Sequence, residues 1–214
     1  MREVDGEVRV SPASEALWGD LQLVLTGAAG RCQCERIRMG DREWWHLPVE
    51  QHRAVLRSEV GCDDPGDAGP GSGILRDPLR TIGLIAHLDG EPAGWCAVDA
   101  RPAFRRLAGS PVPWAGRTES KTDETVWAIA CLIVRSGFRD RGLTYPLVAA
   151  AVEHARARGA RAIEGYPMLT HGERVTWDEL NVGPVGPFLA AGFTEVSRPT
   201  KRRVVMRLEL AGDE

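Results

Sequence analysis

One turn in the chain has the residue types to hold an anion. Arg135, Ser136, Gly137, Arg139, Asp140, Arg141 and Gly142 follow a continuous apolar run, Ala128 to Val134, of strand length. Beyond the turn, Leu143, Leu147, Val148, Ala151, Val152 and Ala155 recur at helical spacing. Gly159 then closes the stretch, with Arg156 and Arg158 in the last turn. Strand, basic turn and helix in that order aim unpaired backbone N–H groups and the positive end of a helix dipole at one point. Pro146 has no N–H and is tolerated only in a first helical turn, so the helix is predicted to begin near Leu143 or Thr144.

Two other sets of residues have chemistry of their own. Glu164 and Tyr166 lie two apart in the predicted strand 161–166, hence on one side of it, where a carboxylate and a phenol can exchange protons. Cys32 and Cys34 form a Cys-x-Cys pair, but zinc wants four ligands and no second Cys/His pair stands at short spacing. The pair reads as two interior-facing residues of an alternating strand, Arg31 to Ile37, and no metal is expected.

The elements that must position these groups follow from patterning. Pro12 to Gly27 is predicted helical, with Leu17, Leu21 and Val24 sharing a face, and Pro48 to Val60 is a second helix. Trp44 and Trp45 just before it read as core aromatics. Residues 61–77, rich in Gly, Pro and Asp, read as a flexible loop within one domain. Residues 81–88 and 93–98 are two strands joined by Asp89-Gly90, a strong hairpin signal, with Gly94 marking a bulge. Residues 101–123 form a long connection, 168–181 a polar loop, 184–191 a short helix, and 202–210 a terminal strand.

With 214 residues, 43% hydrophobic and 27% charged, the chain has the composition of a globular protein. A net charge of −3 and the absence of a basic run argue against nucleic acid. No apolar run approaches the ~20 residues that span a bilayer, and the first residues hold no apolar signal core. Five cysteines, an odd number, read as reduced thiols of a cytoplasmic protein.

The turn Arg139-Asp-Arg-Gly142-Leu-Thr144 resembles the acyl-CoA pyrophosphate loop of the GCN5-related N-acetyltransferases, whose pattern is Arg/Gln-x-x-Gly-x-Gly/Ala. Thr144 departs at the last position. Ala191-Gly-Phe193-Thr-Glu-Val196 resembles the family's closing Gly-Phe strand, and the order of the intervening pieces matches.

The resemblance implies a mixed α/β fold. Six or seven mostly antiparallel strands, splayed between the fourth and fifth, would be flanked by helices. Residues 1–214 would be a single domain, with 1–80 carrying the N-terminal helices and first strand and 81–210 the acyl-CoA core. It further implies acetyl-CoA as cosubstrate. Leu132, Ile133 and Val134 would pair with the pantetheine arm, and Arg139, Asp140, Arg141, Gly142, Leu143 and Thr144 would bind the pyrophosphate. Asn181 and Phe188 would complete the cofactor site.

The family's Tyr general acid falls on Phe188 and its Glu base near Ala128, so neither usual residue is present. Tyr166 and Glu164 are the substitutes for proton transfer, and the resemblance implies a fourth-strand backbone N–H, near Ile133 or Val134, as oxyanion donor. Asp123, Glu124, His171, Glu173 and Asp178 are further candidates. The implied activity is acetyl transfer to a primary amine of a small molecule or peptide by direct attack. A catalytically weak acyl-CoA-binding sensor is the alternative. Two copies pairing through the terminal strand is a further expectation.

Overall fold

The computed structural model describes residues 4–62, 81–170 and 182–210. Seven strands form one sheet: β1 (Val8–Pro12), β2 (Gly83–Leu88), β3 (Glu91–Ala100), β4 (Val126–Val134), β5 (Ala162–Gly165), β6 (Thr194–Ser197) and β7 (Val205–Glu209). Their spatial order is β1-β2-β3-β4-β5-β7-β6, antiparallel throughout except β4 with β5. That one parallel pair exists because a crossover helix, α7 (Thr144–Arg156), returns the chain to the starting edge of β4.

Alternation in the strands divides the apolar residues between two faces. Ile85, Trp95, Ala97, Ala128 and Ile133 face a cap made of α1 (Trp18–Val24), α2 (Gly27–Cys32), α3 (Glu35–Arg38), α4 (Asp41–His46), α5 (Val49–Val60) and α6 (Arg105–Gly109). Leu84, Cys96, Val98, Ile129 and Leu132 face α7 and the short α8 (Val185–Ala190). The stripe predicted for α7 is the buried one, with Leu147, Val148, Ala151 and Ala155 inaccessible to solvent. Its end is a Schellman closure: Ala160 N–H bonds Ala155 C=O at 3.1 Å and Gly159 N–H bonds Arg156 C=O at 3.0 Å. The Asp89-Gly90 hairpin also forms, with both residues at positive φ (52° and 82°), as a two-residue turn matching the strand twist requires. The bulge expected at Gly94 is a register shift beside it, where Ala86 faces Gly94 and His87 faces Pro92.

Two N-terminal expectations need correction. The predicted helix 12–27 is shorter and begins later. Val8 to Pro12 is an edge strand paired with β2, a 3-10 turn spans Ala13–Glu15, and α1 starts at Trp18. Pro12 suits the end of an edge strand, where a missing N–H breaks no central ladder. The predicted strand 31–37 is helical on both sides of a kink: α2 ends at Cys32, and Gln33 and Cys34 adopt left-handed backbone (φ 49° and 57°) before α3. The Gln33 side chain stabilises that kink. Its amide donates to Gly30 C=O at 2.8 Å and its Oε1 accepts from the Gln22 amide at 2.9 Å. Apart from its first two residues, the loop 61–77 lies outside the described residues.

Candidate functional site

β5 pairs with β4 only over Val126 to Ile129. β4 runs on to Val134 with β3 on one side and, among the described residues, a gap with no paired strand on the other. Just past the last β4–β5 pair lies a second bulge, since Val98 faces Ile129 but Ala97 faces Cys131, which leaves Ala130 as the extra residue. The phase of the ladder beyond it is set by Arg135, whose N–H donates to Ala93 C=O on β3 at 2.9 Å. Backbone direction alternates along a strand, so Ile133 likewise points at β3, while Leu132 and Val134 point their N–H and C=O groups into the gap. The Arg139 Nε–H reaches Val134 C=O at 3.3 Å from that side. Ile133 as pantetheine partner or oxyanion donor is therefore corrected: its N–H serves the sheet, and its side chain is buried under the helical cap.

The gap opens into a groove of about 470 Å³. Leu132, Val134, Arg139, Asp140, Gly142, Leu143 and Thr144 line one side, and Gly183, Pro184, Gly186 and Pro187 the other. In the basic turn Asp140 and Gly142 both take positive φ (63° and 81°), which turns successive backbone N–H groups toward one concavity. Gly142 needs that backbone, and α7 begins two residues later at Thr144, so Pro146 falls in the first turn as expected. The Phe138 ring is flanked by guanidiniums, Arg135 at 5.3 Å and Arg141 at 5.4 Å from its centroid. This adds positive charge at the mouth, though Arg141 does not line the groove.

Phe188 does not line it either. It is fully buried, in edge contact with Phe193, and a Cβ on Gly165 would collide with its ring. Its position is structural: it fills the space between α8 and β5. Asn181, His171, Glu173 and Asp178 lie outside the described residues.

On the opposite sheet face Glu164 and Tyr166 are brought together as the spacing predicted, with the phenol donating to Glu164 Oε2 at 3.2 Å. Glu164 has no solvent exposure and is held by three guanidiniums. Arg101 lies at 3.1 Å, Arg207 at 2.6 Å, and Arg117 bonds both its oxygens. Glu119 bridges the same arginines at 3.0 to 3.3 Å. Burial alone would raise the Glu164 pKa, but the bond and charge of Arg117, with Arg101 and Arg207, outweigh it and hold the carboxyl below its usual range. For Tyr166, burial first and the neighbouring carboxylate second push the pKa well above the usual phenol value. The phenol stays protonated, whereas the carboxylate is too well stabilised to take a proton. Asp123 is likewise committed, to Arg161 at 2.7 Å and to Thr125.

Several groove and cluster residues escaped the sequence reading. Tyr145 lines the groove next to Thr144, and its only signal was a phenol one residue beyond the motif. Arg207 did carry a signal: alternation in β7 puts it on the same face as buried Val205, a charge on an apolar side. Arg101 carried none and Arg117 only its place in the long 101–123 connection, which the structure wraps back onto β5. Among the described residues no three metal-ligating side chains come together, and no helix is long and apolar enough to cross a membrane.

Comparison with known proteins fits this geometry. The sequence model of the acetyltransferase (GNAT) family matches residues 43–166. No curated protein matches the sequence. Among solved structures, an acetyltransferase superposes with a TM-score of 0.52 at 16% identity, covering 96% of this chain and 100% of that one. An N-acetyltransferase from Staphylococcus aureus Mu50 gives 0.50 at 10% identity, covering 96% and 99%. The putative acetyltransferase yncA of Salmonella typhimurium, solved with acetyl-CoA, gives 0.48 at 11% identity, covering 97% and 95%. At these identities the first two show the shared fold.

Proposed function

Because the chain belongs to the GNAT acetyltransferase family, we propose that it transfers an acetyl group from acetyl-CoA to a primary amine of a small molecule or peptide by direct attack. The observation that carries this reading is the continuous path from the gap-facing backbone of Leu132 and Val134 to the turn of Asp140, Gly142, Leu143 and Thr144, which all line one groove. The pantetheine amides bond Leu132 and Val134 as an added strand would, and the turn and α7 dipole take the pyrophosphate, with Arg139 beside them. A thioester is already activated, so positioning is most of what the protein must supply.

The tetrahedral oxyanion takes the Leu132 N–H, which points into the gap two residues past the Ala130 bulge. Tyr166, one residue past the last β4–β5 pair, turns its O–H from Glu164 to the departing thiolate and gives up the proton, and the surplus proton of the attacking nitrogen then restores the phenol. Glu164 holds the phenol in place and does not act as base. A second reading, an acetyl-CoA sensor without turnover, draws on Glu164 being committed to arginines and on Phe188 having no proton to give.

Thermal unfolding with acetyl-CoA tests the binding step. Ligand at ~100 times its dissociation constant adds ~2.7 kcal/mol of stability, which Gly142→Glu should abolish. Release of free thiol with a panel of amines then separates transferase from sensor. No thermal shift at millimolar acetyl-CoA would overturn both readings.

A further inference from the structure

The Cys-x-Cys segment, left without a metal or a catalytic role, contributes to a different pair. Cys34 Sγ lies 3.4 Å from Cys131 Sγ, across 97 positions of sequence, and the Trp95 indole N–H donates to the same Cys34 sulfur at 3.1 Å. Cys34 is buried, at the left-handed kink between α2 and α3, whereas Cys131 is half-buried on β4 next to the Ala130 bulge. Two of the other described thiols are elsewhere engaged, since Cys62 bonds Ala13 C=O and Cys96 faces the α7 side of the sheet, and Cys32 is half-buried at the end of α2. We infer that Cys34 and Cys131 are a hydroperoxide-sensitive dithiol, closing to a disulfide that ties the helical cap to β4 beside the Ala130 bulge.

The steps balance with a hydroperoxide as oxidant. The Cys131 sulfur, the one reached from solvent, attacks the peroxide. The O–O bond breaks, Cys131 becomes a sulfenic acid, and the thiol proton leaves with the departing oxygen as water or alcohol. The Cys34 sulfur then attacks the sulfenic sulfur, and the displaced hydroxide leaves with the Cys34 proton as water. Two thiols are oxidised by two electrons and one peroxide is reduced. The sulfurs, already in contact, need only close to bonding distance, and the αL junction at Cys34 is the part of the cap with least regular structure to resist.

The bond does not depend on the proposed transfer, but its consequence rests on that reading. Cys131 shares a sheet face with Tyr166, two residues past the last β4–β5 pair, so the link would fix the cap over the reacting end of the groove. Native full-length protein treated with hydrogen peroxide, then analysed by intact mass and non-reducing peptide mapping, gives the test. Expected is a loss of about 2 Da, a 34–131 crosslink, loss of most thiol release, and recovery with dithiothreitol. Cys32→Ser should keep the link; Cys34→Ser and the half-buried Cys131→Ser should each lose it. Oxygen added to Cys131 without a crosslink, a 32–34 crosslink, or a mass loss that survives Cys131→Ser would overturn the pair. A crosslink in protein that shows no thermal shift with acetyl-CoA would uphold the dithiol and sink the transferase reading instead.

Discussion

The most demanding residue in the molecule is Glu164, because its charge is needed and its chemistry is not. Three guanidiniums surround one buried carboxylate, and their charge is balanced only with the half-buried Glu119 and with Glu209 on Arg207. Removing the carboxylate leaves those arginines facing each other, so Glu164→Gln should cost about 3–5 kcal/mol in urea unfolding. Its lowered pKa gives a sign: the stabilisation is complete above the usual glutamate range and fades as pH falls through the lowered folded value. Tyr166→Phe keeps the ring and removes the proton. As a general acid's loss it should lower kcat by about 100-fold with little change in acetyl-CoA binding, and an unchanged kcat would exclude the role. Glu35 has the opposite sign from Glu164. Burial, with Glu59 and Glu43 nearby, raises it to about 8 against the pull of Arg38, and both its oxygens are unpartnered. A raised folded pKa in an acid means stability is fullest below the unfolded value and falls as pH climbs toward 8. Glu35→Gln should therefore match the parent at about pH 4 and exceed it by roughly 4 kcal/mol at about pH 8 in denaturant melts.

At the scale of elements, what the sequence showed and what it hid have a common physical cause. The α7 helix, its Gly159 closure, the Asp89-Gly90 hairpin and β7 were legible because each is set by local periodicity and turn chemistry. Leu147, with no solvent exposure at the centre of the α7 stripe, makes that concrete: Leu147→Ala should cost about 3 kcal/mol with the groove's polar contacts intact. The measurement is the urea midpoint beside acetyl-CoA affinity, and a cost under half of this would mean α7 packs less tightly than its burial implies. The segment 31–37 misled for the converse reason. Cys-Gln-Cys-Glu-Arg alternates like a strand, yet the Gln33 side chain binds a neighbouring helix end and so stabilises two left-handed residues that no period announces. The groove loop was legible as a motif, but the arginines that hold Glu164 were not, because three separate segments meet there only after folding.

For the molecule as a whole, the sheet is two parts joined by one short parallel seam, β1 to β4 on one side and β5 to β7 on the other. Past Ile129 the parts separate, and among the described residues the Arg139 bond to Val134 C=O leaves the rest of the gap-facing β4 backbone for a ligand to pair with. The apo protein should therefore show an alternating pattern of amide protection along one strand. Ile133 N–H is held by β3, whereas Leu132 and Val134 N–H face the gap. Residue-resolved hydrogen exchange should show Leu132 and Val134 exchanging fast without ligand and Ile133 slowly. With acetyl-CoA at ~100 times its dissociation constant the first two should slow by about 100-fold, while Ile133 changes far less. The α8 amides across the groove should gain protection with them, since the ligand would bridge both parts of the sheet. If Ile133 responded and its neighbours did not, the ladder phase set by Arg135 would be wrong, and with it the assignment of Leu132 as oxyanion donor. If all three stayed slow in the apo protein, the gap would already be closed, and the pantetheine would have no free strand edge to join.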